Sequence, residues 1–263
     1  MNVTSQGWAA RVVRLALLPL TAVLLGACAA WSPHSTELVD PSPWAEATTL
    51  PETDQEQAWF HQKFGNRTPT RYTVTTHQGR PALQADSDGG DSLMRLRLAA
   101  DAPQIGVLRF SWFAEQLNAE ADVADTGADD AVVRVILQFG GDRGRFSARD
   151  QRLSDLMQLV TGEPLPYATL IYVWDPVRPV GTVIPHRRSD RIRKLVVQSG
   201  PQGLGHWVDL ERDVAADYRL AFGKAPERLE GVALMTDSNN TGVRSRAWYG
   251  PLRWIPAEAR PES

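Results

Sequence analysis

Apolar and polar residues alternate along many short stretches between residues 71 and 254, which is typical of β-strands with one buried face. The clearest pair, Arg71–Thr76 and Pro81–Ala85, is joined by a His-Gln-Gly-Arg turn and predicts a β-hairpin. The other stretches of this kind are residues 93–98, 106–113, 131–139, 168–174, 191–197, 231–235 and 247–254. About nine short strands separated by Gly, Asp, Asn or Pro predict a mainly β fold, an antiparallel β-sandwich or jelly roll, rather than βαβ units.

Three segments have helical spacing instead, and they predict two or three short helices. In Val208–Phe222, apolar residues recur at every fourth position from Val214, and Gly223 can end the helix. Gln151–Val160 places its apolar residues on one face, and a shorter helix is expected over Gln55–Phe64. Because the helices are few, we expect them to close over an edge or mouth of the sandwich.

The N-terminal residues have the three parts of a secretory signal. Arg11 and Arg14 supply positive charge, residues 15–25 are mostly apolar, and small residues precede Cys28. The apolar run is too short for a bilayer-spanning helix, which needs roughly 20 residues. The sequence Leu-Gly-Ala-Cys ending at Cys28 resembles the lipobox of bacterial lipoproteins, which implies cleavage before this cysteine and lipidation of its thiol. The alternative is an ordinary signal peptide with an incidental cysteine.

The predicted organisation follows from this leader. It comprises a signal peptide over residues 1–27, a lipidated cysteine and flexible tether over 28–52, a folded domain over 53–255 and a loose tail over 256–263. Prolines and small polar residues dominate the tether, as in extended linkers. By resemblance to lipoproteins, Ala29 favours the periplasmic face of the bacterial outer membrane. The expected partners are the membrane, through the lipid anchor, and an envelope glycan or protein.

Composition excludes some classes of function. The chain has 263 residues with 28 basic and 31 acidic side chains, and the predicted leader holds two of the basic residues and no acidic one, so the remainder carries a net charge of −5. This balance argues against nucleic acid as a partner. The single cysteine, Cys28, allows no intramolecular disulfide, and its lipidation would exclude a thiol enzyme.

The segment 237–242, Asp-Ser-Asn-Asn-Thr-Gly, concentrates side-chain oxygens in a tight turn, as calcium sites do. It is not an EF-hand loop, because Trp248 stands where a bidentate glutamate is required. Two interpretations remain: a turn in which Asp and Asn side chains bond their own backbone, or a site for one structural calcium ion. No cofactor is firmly predicted. The candidate metal ligands are Asp237, Asn239, Asn240 and Thr241.

An acidic stretch precedes the predicted strand at 131–139, and it includes Asp129 and Asp130. Glycosidases place two carboxyl groups roughly 5–10 Å apart, so either residue could act as an acid or base, or the stretch could bind a cation. The alternative is a solvated acidic loop in which one carboxylate is paired with an arginine such as Arg134.

Three aromatic residues are candidates for a sugar-stacking surface. Tyr172 and Trp174 share one face of a predicted strand, because side chains alternate along a strand, and Trp112 lies on another strand. Exposed rings at these positions could stack on sugars. The alternative is that they belong to the core, where aromatic residues contribute much of the buried area of a sandwich.

A basic run between residues 187 and 194 includes Arg191 and Arg193. Such a run could bind an anionic glycan, a lipid headgroup or a phosphate. It could equally be the solvated side of a strand, with both arginines on one face and Ile192 on the other.

Several catalytic signatures are missing from the sequence. It has no Gly-x-Ser-x-Gly, which argues against a classical hydrolase, and no His-Glu-x-x-His. The five histidines are scattered, which argues against a zinc site. It also lacks a phosphate-binding or dinucleotide-binding Gly-rich loop.

Strings spread along the chain, in a consistent order, resemble the bacterial domain of unknown function family 3047 over most of residues 59–254. The resemblance implies a jelly roll similar to carbohydrate-binding modules and a bacterial envelope setting, and it supplies no catalytic residue. The strings are Thr70-Arg71-Tyr72, Asp129-Asp130-Ala131 with Arg134, Leu170–Trp174, Val197–Gly200, Trp207 with Glu211–Val214, Met235–Gly242 and Tyr249-Gly250.

The leading hypothesis is an envelope lipoprotein with a non-catalytic domain that binds a periplasmic glycan or another envelope component. One alternative is a glycan-cleaving hydrolase or lyase on the same fold, using Asp129 or Asp130 with a second acid. Another is a scaffold or assembly protein of the envelope. Two facing carboxylates, one with a raised pKa, would favour the enzyme. An open face lined by aromatic residues would favour the binding domain, and an exposed apolar patch would favour the scaffold.

Overall fold

The structure, a computed structural model, describes residues 36–38, 42–51 and 58–257, with only the backbone for the first of these ranges. The described residues belong to one compact unit that spans residues 32–263. The predicted signal peptide, Cys28, much of the tether and the last six residues of the tail lie outside the described residues.

Fourteen strands and three α-helices are formed by the described residues. The helices are α1 (Pro43–Glu46), α2 (Ala148–Thr161) and α3 (Val214–Phe222). The strands are β1 (Thr36–Leu38), β2 (Phe60–Lys63), β3 (Arg71–His77), β4 (Arg80–Ser87), β5 (Ser92–Asp101), β6 (Val107–Ala114), β7 (Arg134–Gly140), β8 (Ala168–Asp175), β9 (Val183–Pro185), β10 (Ile192–Ser199), β11 (Trp207–Asp213), β12 (Arg228–Met235), β13 (Ser245–Tyr249) and β14 (Arg253–Ile255).

The strands form two sheets that pack as a sandwich, so the mainly β prediction is confirmed. Sheet A has the order β1-β2-β5-β12-β7-β8-β10-β9, and sheet B has the order β11-β6-β13-β4-β3, with β14 also paired to β6. Paired strands are antiparallel except β8 and β10, which run parallel to each other. Strand β9 lies between them in the chain and pairs antiparallel with the other edge of β10. In each sheet a strand from near the C-terminus lies centrally: β12 between β5 and β7, and β13 between β4 and β6.

The main core lies between the sheets and is rich in aromatic rings. The even-numbered residues of β6 point inward, as do those of β8 that face them. Phe110 stacks on Tyr172 with ring centroids 5.8 Å apart, and Trp112 stacks on Trp174 at 6.4 Å. These ring pairs join sheet B to sheet A across the centre of the molecule.

Several local predictions are confirmed. The β3–β4 hairpin turns at Gln78 and Gly79, both with positive φ (47° and 78°), as a tight two-residue turn requires. Helix α2 covers the predicted segment, and α3 ends at Gly223 in the left-handed region. None of the helices in the described residues has the length and apolar character needed to cross a membrane.

The predicted helix over Val208–Phe222 is wrong in its first part. Residues 207–213 form strand β11, paired along its length with β6. The helix begins only after Asp213, whose side chain accepts a hydrogen bond from the backbone N–H of Ala216 (3.0 Å). Val208 and Leu210 alternate with charged residues, so this segment also satisfies the strand pattern, and pairing with β6 decides between the two.

The predicted helix over Gln55–Phe64 is also wrong where the structure describes it. Residues 60–63 form β2, which pairs with β1 on one side and with β5 on the other. The backbone groups of this short segment therefore bond to neighbouring strands, and this pairing overrides the local helical spacing. Residues 52–57 lie outside the described residues.

Residues 42–51, which the sequence assigned to the tether, are part of the fold. Trp44 in α1 is fully buried and packs on Trp59, with ring centroids 4.9 Å apart. The backbone N–H of Thr49 donates to the carbonyl of Leu252 (2.9 Å). The packed domain therefore begins before residue 53.

Candidate functional site

The outer face of sheet B is built by the register between β6 and β11. The residues facing each other on it are Phe113 and Trp207, Ser111 and Asp209, and Arg109 and Glu211. Since the even-numbered residues of β6 fill the core, these odd-numbered residues point away from it. One end of this face is therefore aromatic and the other end is charged.

Four rings form what we call the aromatic face: His77, Phe113, Trp207 and Trp248. His77 stacks on Trp248 at 4.0 Å between ring centroids, and Phe113 meets Trp248 edge-on at 5.4 Å. Burial lowers the pKa of His77, so its imidazole stacks as an uncharged ring at neutral pH. Trp207 is only partly buried, and its indole N–H donates to the carbonyl of His77 (3.2 Å). The aromatic face thus leaves part of one indole accessible to solvent.

A groove of about 500 Å³ lies at the charged end of the same sheet face. Arg80 makes two hydrogen bonds to Asp209 (2.7 and 3.2 Å), and Arg109 donates to Glu211 (2.6 Å). The guanidinium of Arg80 also lies 5.4 Å from the ring centroid of Trp207, which connects the groove to the aromatic face. The polar side chains that line the groove are Arg80, Arg109, Ser111, Asp209, Glu211 and Arg253.

The groove does not follow from the predicted helix over Val208–Phe222, because that prediction includes residues 208–213. Helical spacing would scatter Asp209 and Glu211 around a cylinder, whereas the strand places both on one face beside Arg80 and Arg109. The alternation of Trp207, Asp209 and Glu211 with apolar residues was the signal that could have found it.

A second polar centre lies on the outer face of sheet A, beneath the loop that connects β6 to β7. We call it the charge cluster, and it consists of Asp129, Asp130, Arg134, Lys194 and Asp237. The Nη2 atom of Arg134 is 3.0 Å from the carboxylate of Asp237 and 3.1 Å from that of Asp129. The ammonium of Lys194 contacts the other carboxylate oxygen of Asp129. The cluster joins residues from two strands and two loops.

Asp130 is held by the segment that the sequence proposed as a metal site. Its carboxylate accepts hydrogen bonds from the backbone N–H groups of Asn240 (3.1 Å) and Thr241 (2.7 Å) and from the Thr241 hydroxyl (2.6 Å). The Asn240 amide donates to the carbonyl of Thr126 (2.9 Å), while Asn239 is exposed. The segment thus presents donors to a carboxylate, and the described residues include no group of three or more His, Cys, Asp or Glu arranged around a metal ion.

The charge cluster has three carboxylates and two cations. Burial raises the pKa of Asp237 to about 7 despite the neighbouring Arg134, and the charges of Asp129 and Asp130 act in the same direction. Burial lowers the pKa of Lys194 to about 8, with the charge of Arg134 adding to the effect. Burial is thus the main cause of the raised pKa of Asp237, and protonation of this carboxyl also removes the excess negative charge of the cluster.

The predicted aromatic candidates do not form an open surface. Trp112, Tyr172 and Trp174 are all buried between the sheets. The hydroxyl of Tyr172 donates to Asp217 (2.8 Å), and the indole N–H of Trp174 donates to the carbonyl of Gly200 (2.9 Å). Both faces of β8 are covered, so its aromatic residues are core residues, as the alternative interpretation held.

The predicted basic run is divided between different environments. Arg191 lies 4.7 Å from the ring centroid of Tyr167 and also faces the carboxylate of Asp150 at 3.7 Å. Arg193 lies 5.7 Å from the ring centroid of Phe222, and Lys194 is buried in the charge cluster. These side chains pack on their own fold instead of forming one exposed anion-binding surface.

Among the sequence candidates, the structure therefore brings together Asp129, Asp130, Arg134 and Asp237 with the 240–241 turn, and it leaves the buried aromatic residues and the two arginines elsewhere.

Comparison with known proteins gives one match by family. No curated protein matches the chain. The family model described as "Protein of unknown function (DUF3047)" matches residues 57–253, which is well over half of the chain. The chain therefore belongs to the DUF3047 family.

Proposed function

We propose that this protein is a non-catalytic binding domain for a cell-envelope glycan, and that the groove and Trp207 form its binding surface. The observation that carries the proposal is the combination of a partly exposed indole with exposed charge pairs on one open sheet face. Sugar rings have an apolar face that stacks on aromatic rings. Their hydroxyl groups bond to carboxylates and guanidinium groups at the ring edge.

The dimensions of the groove agree with this function. Its volume of about 500 Å³ lies within the range of small-ligand sites, roughly 300–1,000 Å³. Arg80 and Asp209 are both exposed, so a ligand can form hydrogen bonds with them without any rearrangement of core residues. A sandwich of the jelly-roll type, similar to carbohydrate-binding modules, is the fold analogy behind the proposal, and it adds only modest support.

The predicted setting gives the ligand class. The lipobox-like sequence at Cys28 would anchor the chain at the periplasmic face of the outer membrane, where envelope glycans are the abundant polysaccharides. A domain there would act by holding its ligand near the membrane. The net charge of −5 expected for the chain without its leader favours neutral or mixed-charge glycans over strongly anionic ones.

The alternative of a glycan-cleaving enzyme would rest on Asp129 or Asp130. Both oxygens of Asp130 already accept hydrogen bonds from the 240–241 turn, and both oxygens of Asp129 contact cations. Asp237 has the raised pKa of a general acid, but it is almost fully buried beneath the same side chains. These contacts favour a structural role for the carboxylates, and hence a binding function.

The test is the thermal unfolding midpoint of residues 32–263 with a panel of soluble envelope glycans. A ligand at one hundred times its Kd stabilises the native state by about 2.7 kcal/mol. We expect one glycan class to raise the midpoint, and Trp207→Ala and Asp209→Asn to reduce that shift relative to their own ligand-free midpoints. Asp101→Asn is the matched control, since Asp101 is an exposed carboxylate paired with Arg228 away from the groove.

Two results would contradict the proposal. An equal glycan-dependent shift in Asp209→Asn and in Asp101→Asn would place binding elsewhere. Release of shortened glycan products during incubation would identify an enzyme, and loss of that activity in Asp129→Asn would then assign it to the charge cluster.

A further inference from the structure

Helix α2 is attached to the fold by polar contacts. Asp150, on its inner side, accepts hydrogen bonds from the hydroxyl groups of Ser189 (2.6 Å) and Ser147 (2.8 Å). Ser154, also buried, accepts from the backbone N–H of Leu165 (3.2 Å). The helix is therefore held in place mainly by polar groups, because Leu153 and Met157 are only half-buried and its three other large apolar side chains are exposed.

Those apolar side chains are exposed on one flank of α2. The exposed fractions are 71% for Leu159, 54% for Leu156 and 38% for Val160. Arg149 and Arg152 precede them at spacings of three or four residues, which places all five side chains along one side of the helix. We call these five residues the α2 flank. The other exposed side of α2 carries Gln151, Asp155 and Gln158.

Positive charge surrounds the N-terminal half of the α2 flank. The guanidinium Nε of Arg149 donates to the backbone carbonyl of Arg188 (2.9 Å), so the exposed Arg188 lies beside the helix. Arg143 and Arg145 are exposed just before the helix, and only Arg145 is paired locally, with Asp142. This local excess contrasts with a formal net charge of −3 for the whole chain.

We propose that the α2 flank docks this domain on the surface of an anionic lipid bilayer. An exposed stripe of leucine and valine can enter the boundary between headgroups and acyl chains, while arginines on the same side reach the phosphates. Each basic residue near such a surface attracts it independently of any specific pocket. The five residues of the α2 flank include no aromatic side chain of the kind that anchors stable protein interfaces, which favours a lipid surface over a protein partner.

This docking surface is separate from the proposed glycan site. The groove lies on sheet B and uses none of the residues of α2. A domain held by the α2 flank would lie against the bilayer, with a fixed orientation that a flexible tether alone would not give.

The test is co-sedimentation of residues 32–263 with vesicles of phosphatidylcholine alone and with vesicles containing about one third phosphatidylglycerol. We expect binding to the anionic vesicles that weakens as salt is added. Leu156→Ser with Leu159→Ser should weaken this binding by roughly tenfold. Leu220→Ser is the matched control, because Leu220 is 58% exposed on α3, and it should leave binding unchanged.

Arg149→Gln with Arg152→Gln should also weaken binding to anionic vesicles by roughly tenfold and should make it less sensitive to salt. Equal binding of the unaltered protein to both vesicle types would overturn the proposal. Equal losses of binding in Leu220→Ser and in Leu156→Ser with Leu159→Ser would also overturn it. Thermal midpoints of the variants confirm that each is folded. Because the glycan assay contains no lipid, failure of the glycan proposal leaves this result unaffected.

Discussion

The charge cluster and the groove are built from the same kinds of side chain, carboxylates that face basic groups, but they differ in their exposure to solvent. In the charge cluster, the side chain of Arg134 is 6% exposed and bridges two carboxylates. In the groove, the side chain of Arg109 is 56% exposed and meets one carboxylate. A buried pair is difficult to dissociate, because each ion would remain without water, whereas an exposed pair can exchange its partner for a ligand.

The difference arises from what covers each sheet. The loop between β6 and β7 lies over sheet A, where Val123 and Ala131 pack with apolar residues of β7 and β8 and close the charge cluster. Above the charged part of sheet B the structure leaves a groove. Acidic and basic residues in the sequence therefore indicate a site only when the covering element is known. This comparison suggests three experiments.

The largest expected effect comes from removing the central cation of the charge cluster. Arg134→Met should lower the free energy of unfolding by about 3–5 kcal/mol, because Asp129 and Asp237 would lose a buried partner. Arg109→Met is the matched control in the groove and should cost less than about 1 kcal/mol. Urea unfolding of both variants measures the two losses. Equal losses would mean that burial does not distinguish the two regions.

The next effect concerns pH. The pKa of Asp237 is raised by burial to about 7, whereas a carboxyl in an unfolded chain has a pKa of about 4. Between these values the folded protein holds a proton that the unfolded chain has released, so this group makes the free energy of unfolding fall as pH rises. The substitution Asp237→Asn removes this contribution to the pH dependence, because the asparagine amide does not ionise.

Urea unfolding of the unaltered protein and of Asp237→Asn, from pH about 4 to about 7, gives the comparison. As pH rises across this range, the free energy of unfolding of Asp237→Asn should increase by on the order of 3 kcal/mol relative to that of the unaltered protein. Histidines and carboxylates outside the charge cluster contribute equally to both proteins and cancel in the difference. A difference that stays constant with pH would show that Asp237 is ionised throughout.

The smallest effect on stability is expected in the groove. Glu211→Gln keeps the shape of the side chain and removes the charge that faces Arg109, so the unfolding free energy should change by less than about 1 kcal/mol. Glycan affinity should nevertheless fall several-fold, as titration calorimetry can measure. A variant that loses stability and keeps its affinity would place Glu211 among structural residues.

Local patterns predicted much of the fold because the alternation of residues coincides with real strands. The β3–β4 hairpin, helix α2 and the end of α3 at Gly223 follow directly from such patterns. Strand β11 was missed because its sequence satisfies two periodicities and only pairing with β6 selects one. Trp44 was missed because its burial depends on contact with Trp59, beyond a segment that resembles a linker.

The candidate sites were harder to predict than the strands. Asp129 and Arg134 are close in sequence, and their pairing was among the expected alternatives. Lys194 reaches the same carboxylate from 65 positions away, and such a contact leaves no local signal. Trp112, Tyr172 and Trp174 showed the reverse problem, because a strand that is buried on both faces looks the same as one with an exposed aromatic face.

The central positions of β12 and β13 have a consequence for the order in which this protein can fold. Chains are synthesised from the N-terminus, but sheet A needs β12 to join β5 to β7, and sheet B needs β13 to join β4 to β6. Until residues 228–249 emerge, both sheets are divided, and each part has unpaired backbone edges that can bind other chains. Neither sheet can therefore be completed before its C-terminal strand is available, and the unpaired edges are exposed until then.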